Sequence, residues 1–395
     1  MNKKLGLAVA GALVAFSSAA NAGITIPAGD WTVDLGGNVN AFYTHAKTDG
    51  AQGTNTIGTG LLPAALGIGA KTRQNDLDIA VQFSFFTGTS AGGASAMTAG
   101  THVATALNSN TLNIRQAFLT VGDASWGTVK FGRDLGVFGS DAILSDMTLL
   151  GVGGNLGSSG SSTLGRIGQG YLYADWFGQI AYTTPNWNGF QATAALIEPV
   201  GAALTSNSGQ QDMMYQGKAT YDFAANDVTG RVWVSGTTQK NPVSNITSEG
   251  WDIGAKASYQ GASLVGYYYN GSALSSINTG AATAYLVNVL GGGINGTATG
   301  LGATLHDSDD SGGYVQGTFV IPGVGTKLGA SWGESSSTIK ATGKEAKVET
   351  WIVGAYHPLT KSLNLVAEYA NADNSYTGLA SQTVKTTSLG AILFF

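Results

Sequence analysis

The stretch Trp31-Thr32-Val33-Asp34-Leu35-Gly36-Gly37-Asn38-Val39-Asn40-Ala41-Phe42-Tyr43 sets Trp31, Val33, Leu35, Val39, Ala41 and Tyr43 against Thr32, Asp34, Asn38 and Asn40. Successive side chains of an extended chain point to opposite faces, so this alternation builds a strand with one apolar and one polar side. The same period recurs. Leu77, Ile79, Val81, Phe83 and Phe85 alternate with Asp76, Asp78, Gln82 and Ser84. Met213, Tyr215, Ala219 and Tyr221 alternate with Asp212, Gln216, Lys218, Thr220 and Asp222, and Trp251, Ile253, Ala255, Ala257 and Tyr259 with Asp252, Lys256, Ser258 and Gln260. The fold class is therefore all-β.

Alternation alone also describes a soluble sandwich, so the environment must be read from other features. Aromatic residues gather near the segment ends, as a membrane girdle requires. Connections alternate between short and long: Pro185-Asn186-Trp187-Asn188-Gly189 contrasts with the stretch 136–170. The chain ends Leu389-Gly390-Ala391-Ile392-Leu393-Phe394-Phe395, an apolar strand that would be a sticky edge in water but is a closing strand in a barrel. Charged residues make up 11%, well under the roughly 25% of a soluble domain, and there are 59 glycines but no cysteine. Disulfides are thus excluded, whereas a closed ring of paired strands supplies stability without them. The aromatic content argues against disorder, and the formal charge of −5 against nucleic-acid binding.

The N-terminus reads as an export signal: Lys3 and Lys4, the apolar run Leu5 to Phe16, then Ala20-Asn21-Ala22. That run is too short for a bilayer span, which takes about 20 residues, and no longer one follows, so a helical membrane protein is excluded. Cleavage after Ala22 leaves one unit, residues 23–395, with a charge two units more negative than that of the full chain.

Strand candidates fall near 31–44, 60–72, 76–87, 111–122, 127–135, 171–184, 189–198, 211–222, 228–239, 250–260, 261–270, 313–321, 326–336, 346–357, 362–372 and 384–395. Sixteen is even, so both termini face the periplasm. Barrels of sixteen to eighteen strands leave an aqueous channel. The apolar stretch 281–290 within the insertion 271–312 offers an extra hairpin, which would raise the count to eighteen; 88–110 is a second long insertion.

Two runs carry a family resemblance. Asn113-Ile114-Arg115-Gln116-Ala117-Phe118-Leu119-Thr120-Val121-Gly122 resembles the Arg-x-Ala-aromatic-Val-Gly strand of Gram-negative general porins, and Trp126-Gly127-Thr128-Val129-Lys130-Phe131-Gly132-Arg133-Asp134 resembles the strand leading into their third loop. The terminal phenylalanine matches the family's assembly signal. The resemblance implies a sixteen-stranded homotrimer, a third loop folded into the lumen, and passive diffusion. The wording usual for the family's second and third strands is missing: Leu62-Pro63-Ala64-Ala65 to Arg73 stands there, and no pore role is carried onto Arg73.

Fixed charges facing a narrow passage select ions. Arg115 alternates against Ile114 and Phe118 and is expected in the lumen; Arg133 matches the family's Gly-Arg position but shares parity with Val129 and Phe131; Lys218, Arg231 and Lys256 fall on polar faces. These five are the candidate basic wall. The stretch 136–170 is the candidate constriction loop, with Ser140 as N-cap of a short helix, Asp141 and Asp146 facing the arginines across the passage, and Arg166 further along. The alternative is that both carboxylates cap local turns.

Enzyme signals are weak. No complete P-loop or Gly-x-Ser-x-Gly elbow occurs, and His45, His102, His306 and His357 form no metal-ligand pair. No cofactor is expected. Asp307, Asp309 and Asp310 form either a solvated acidic loop or a Ca²⁺ site, though no coordinating frame follows them. The reading is an outer-membrane pore for ions and small hydrophilic solutes, in contact with lipid and lipopolysaccharide. The alternatives are a channel specific for organic anions or sugars, and a non-conducting structural or adhesive barrel.

Overall fold

A computed structural model describes residues 23–89, 112–154, 162–199, 212–241, 245–274, 307–378 and 380–395. The export signal, most of 88–110, the stretch 281–290, His102 and His306 lie outside them. The strands, in chain order, are β1 (Ile24–Ala28), β2 (Trp31–Thr48), β3 (Thr54–Gly58), β4 (Ala64–Gln74), β5 (Leu77–Thr87), β6 (Asn113–Asp123), β7 (Gly127–Leu135), β8 (Trp176–Thr183), β9 (Phe190–Ile197), β10 (Met214–Ala225), β11 (Val228–Asn241), β12 (Ile246–Tyr259), β13 (Ala262–Ser272), β14 (Ser308–Val320), β15 (Lys327–Ile339), β16 (Lys344–Pro358), β17 (Leu363–Tyr376) and β18 (Gln382–Phe394). Among the described residues, one short helix, α1 (Ser140–Ser145), and a 3₁₀ turn, Met147–Leu150, lie between β7 and β8.

Every pair of neighbouring staves is antiparallel, and β18 closes the ring on β2, from Val384 opposite Thr48 to Phe394 opposite Asn38. Closure leaves no row of unpaired backbone groups, the condition for crossing a bilayer with strands. The sixteen expected strands are all present as the sixteen staves of a barrel. The two additional strands are not a hairpin from 281–290. One is β1, which pairs with Trp31–Leu35 and prolongs the line of β18. The other is β3, which shares a stave with β4: β3 pairs with Phe42–Ala46 and β4 with Thr32–Asn38 of the same β2. The break between them, residues 59–63, is where the stave expected at 60–72 leaves the wall.

Side-chain parity separates two surfaces. Val39, Tyr43, Phe83, Leu119, Ile180, Tyr215, Val232, Val234, Ile253, Leu264 and Leu389 are exposed on the outside. Aromatics form two belts. Tyr43, Tyr215, Trp251 and Tyr268 lie toward the long-loop end; Tyr182, Tyr221, Tyr259 and Phe319 lie toward the short turns, and Trp332, directly opposite Trp351, sits between the belts. Such girdles mark the two interfaces of a membrane barrel.

The inner surface departs from simple polarity. Phe42, Phe86, Phe118, Met214, Trp233, Tyr267, Tyr269, Tyr314, Ile352 and Phe394 point inward and are buried. All of them except Phe86 and Phe118 pack against the described parts of the segment 136–175, which fold inside the ring and meet them through Val137, Phe138, Ala142, Ile143, Met147, Val152, Leu164 and Ile167. The protein's apolar core is therefore the contact between one loop and the inner wall.

Candidate pore constriction

The inward segment is fixed mainly by backbone groups received by wall side chains. The amides of Val137 and Phe138 donate to Gln216 Oε1 at 2.7 and 3.0 Å, Gly139 N to Asp252 Oδ2 at 3.0 Å, and Met147 N to Gln316 Oε1 at 2.7 Å. Val152 N and Gly153 N both donate to Glu368 Oε2, at 2.7 and 2.8 Å, and Tyr356 holds the other carboxylate oxygen at 2.6 Å. Gly170 N donates to Ser335 Oγ at 2.9 Å. The loop thus meets β10, β12, β14, β17 and β15 in turn, and the wall satisfies amides that its short helical turns leave over, as buried amides require. Tyr314 donates to Ala142 O and Gln316 to Ser145 O, tying the carbonyl end of α1 to the wall.

The opposite end of the loop is latched by the broken stave. Asn40 Nδ2 donates to Leu62 O and its Oδ1 accepts from Gly60 N, both at 2.9 Å, which holds residues 59–63 turned inward. From there Leu61 N donates to Gly151 O at 2.8 Å, Thr163 N to Gly60 O at 2.9 Å, and Leu61 buries against Leu164 and Ile167. A Cβ at position 60 would collide with the Gly151 carbonyl and the Phe42 ring, so this approach requires glycine.

The expected site residues separate on this frame. Lys218, Arg231 and Lys256 line the lumen on β10, β11 and β12, with Arg231 and Lys256 directly opposite each other. Arg115 also turns inward, over the Phe86 ring at 5.0 Å and with Nη1 at 3.5 Å from Tyr173 Oη. It does so because a bulge between Ser84 and Phe85 shifts the β5–β6 register, so that Ile114 faces out while Phe118 faces in. Arg133 does not join the wall. It shares the outer face with Phe131 and lies 3.7 Å from Glu198 near the long-loop end; the inward positions of β7 belong to Lys130 and Asp134, which pair with each other.

The loop carboxylates do not face arginines across a passage. Asp141 is clamped to the wall, its Oδ2 2.7 Å from Lys218 Nζ and its Oδ1 3.0 Å from Arg231 Nη1, while Arg231 also grips Asp222. Burial pushes the Asp141 carboxyl up, but the two cations outweigh it and hold it below its ordinary range. Asp146 caps the 3₁₀ turn, accepting from Thr148 N and Oγ1, and receives the Tyr171 hydroxyl at 2.8 Å. Ser140 is not the N-cap of α1: Gly139, at φ 74°, holds that place, and Ser140 Oγ donates back to Val137 O. Arg166 is wholly buried, with Nη1 donating to Gln169 O and Thr350 O, both at 3.1 Å, so it braces the loop against β16 instead of meeting solute. Burial lowers its affinity for a proton, offset in part by Asp146.

Asp307 and Asp309 hold Lys340 at 2.8 and 3.5 Å, while Asp310 turns inward and receives Leu274 N at 2.7 Å, so the three do not converge on a cation. Among the described residues no cluster of metal-ligating side chains is present. Sequence reasoning missed Asn40, Glu368, Gln316 and Lys327. Asn40 and Glu368 stood on polar faces, but nothing local distinguishes an inward residue that holds a loop from one that is merely solvated.

The chain matches the family described as Gram-negative porin over residues 8–377. A search of curated proteins returns no match. Similar solved structures include the outer membrane channel DcaP of Acinetobacter baumannii (16% identity, TM-score 0.64, 95% of this chain and 100% of that one). Others are OmpF of Salmonella typhi (14%, 0.61, 94% and 100%) and the anion-selective porin from Comamonas acidovorans (14%, 0.59, 92% and 100%). At these identities the structures speak for the fold; it is the family match across nearly the whole length, joined to a closed barrel with an inward third loop, that makes this chain a member of the Gram-negative porins.

Proposed function

We propose that the barrel is an outer-membrane diffusion channel for ions and small hydrophilic solutes, narrowed by the segment 136–175 and working without catalysis. The observation that carries this reading is the wall beside α1. There Arg231, Asp222 and Lys256 remain open to solvent although they point into the ring. A solute descending past the loop meets these charged groups, and charged groups in a confined passage decide what crosses. The aromatic residues on the inner wall lie beneath the loop, so they form no open stacking track, which disfavours the sugar-specific alternative.

The functional unit in this reading is a homotrimer, reached after export and removal of residues 1–22, with the aromatic belts against lipid and lipopolysaccharide. Single-channel recording in planar bilayers tests it. Large currents closing in three equal steps are expected; correctly folded protein that passes no current would bring the structural or adhesive barrel forward.

A further inference from the structure

The lumen charges cancel in pairs almost everywhere. Among the described residues, Lys130 is held by Asp134, Lys218 by Asp141, Arg231 by Asp141 and Asp222, Lys71 by Asp34, and Arg73 by Asp78 and Asp123. Arg115 is engaged with Phe86 and Tyr173, and Arg166 is buried out of reach. The inward carboxylates Asp134, Asp141, Asp146, Asp252, Asp310 and Glu368 are all buried and bonded to protein donors.

Two lysines stand outside this pairing. Lys256 is exposed in the lumen opposite Arg231, with no carboxylate within ion-pair distance among the described residues. Lys327 opens β15 at the short-turn end and has its Nζ 4.7 Å from the Tyr356 ring centroid, again with no ion-pair carboxylate. Two positions along, Gly329 lies against the Met147 sulfur, which places Lys327 just beyond the 3₁₀ turn on the short-turn side of the loop.

We propose that Lys256 and Lys327 form an anion-attracting step on the short-turn side of the constriction, and that this step gives the channel its ion preference. The proposal rests on the diffusion-channel reading and names the solute class it favours: small anions such as chloride, inorganic phosphate and short carboxylates. Beside α1, Lys218 and Arg231 each have a carboxylate a hydrogen bond away, so beyond a few ångströms each such pair acts as a dipole. The two lysines present net charge in a passage with low-dielectric walls, which raises the local concentration of counter-ions. The Tyr356 face stabilises the Lys327 ammonium without neutralising it. Width and sign are thereby set by different groups: the loop and its clamped charges narrow the passage, and the two lysines set the sign.

The test is the reversal potential of single channels in a potassium chloride gradient, for the wild-type trimer and for Lys256→Gln combined with Lys327→Gln. Wild type is expected to prefer chloride, and the double variant to lose that preference severalfold, toward no selectivity. Millimolar inorganic phosphate is expected to reduce the chloride current of wild type and not that of the variant. Lys256→Gln alone, at an exposed residue, is expected to give a partial loss and covers failure of the double variant to fold. An unchanged reversal potential in either folded variant, or a potassium preference in wild type, would overturn the proposal while leaving the pore intact. Folded wild type without current would instead sink the channel reading itself.

Discussion

Asp141 meets two cations from adjacent strands while its own side chain is only 5% exposed. Its folded carboxyl sits below the ordinary value of 3.8 because Lys218 and Arg231 overcome the cost of burial. A carboxyl depressed in the folded state stabilises that state above its unfolded pKa and stops doing so as pH falls through the folded one. The clamp on α1 is therefore complete from neutral pH down to about 4, and it fails only on further acidification. Open-channel noise recorded against pH should stay flat across the first range and rise below it. Asp141→Asn should show that noise already at pH 7. It should also shift the reversal potential toward anions, since Lys218 and Arg231 lose a counter-charge. Quiet currents and unchanged selectivity in this variant would mean that the amide bonds to Gln216 and Asp252 hold the loop unaided.

A strand in this barrel is read by parity and by depth. On β10, Lys218 points into the lumen while Ala219 faces outward beside the apolar Val232 and Val234 of β11, and Tyr215 lies in the aromatic belt at the long-loop end. Ala219→Arg should cost roughly 2–4 kcal/mol of folding free energy and Tyr215→Arg only about 0–1 kcal/mol, because the penalty for a lipid-facing cation falls from midplane to interface. Lys218→Ala should change conduction and weaken the Asp141 clamp while leaving the lipid-facing surface untouched. Urea titrations of the three variants refolded into vesicles decide this; equal losses would contradict the assigned faces. Parity was legible in the sequence because it is local: each residue's face follows from its neighbours two positions away. The loop was not. Its anchors join positions such as Gly139 and Asp252, or Val152 and Glu368, that are far apart in the chain and meet only once the ring has closed. Arg115 needed a bulge that no periodicity announces, and Phe42, in the strand that revealed the fold, breaks the pattern because the loop covers it. The broken stave belongs to the same class. Asn40→Ala should release residues 59–63 from the wall and leave the Leu62 carbonyl and Gly60 amide without their partner. The expected cost is about 1–3 kcal/mol for each group left unsatisfied, and the loop should show more frequent brief closures at unchanged peak conductance. Recordings indistinguishable from wild type would show that the backbone bonds to Gly151 and Thr163, with buried Leu61, hold the latch without Asn40.

Closure of the ring makes the two ends of the chain one structural element. β18 pairs with β2 down to Phe394 opposite Asn38. The ladder then continues through Phe395, whose N–H donates to Gly37 O at 3.1 Å and whose carbonyl accepts from Gly37 N at 2.9 Å. β1 begins where Phe395 stops, pairing Ile24 with Leu35, so a single line of hydrogen bonds runs along β2 with its join at the C-terminus. Removing Phe395 subtracts two hydrogen bonds from this seam and leaves the rest of β18 in register. The folded barrel should lose about 0.5–1.5 kcal/mol per bond and keep its conductance. The resemblance to the family implies an assembly signal at the terminal aromatic, and that role would predict a much larger effect in cells than the seam alone can produce. Refolding into vesicles, where no assembly machinery is present, should therefore yield nearly normal, heat-resistant oligomer from the truncated chain, while the amount reaching the outer membrane of an expressing cell falls steeply. If both yields fall together, the seam is the cause, and the join between Phe395 and β1 is what keeps the barrel shut.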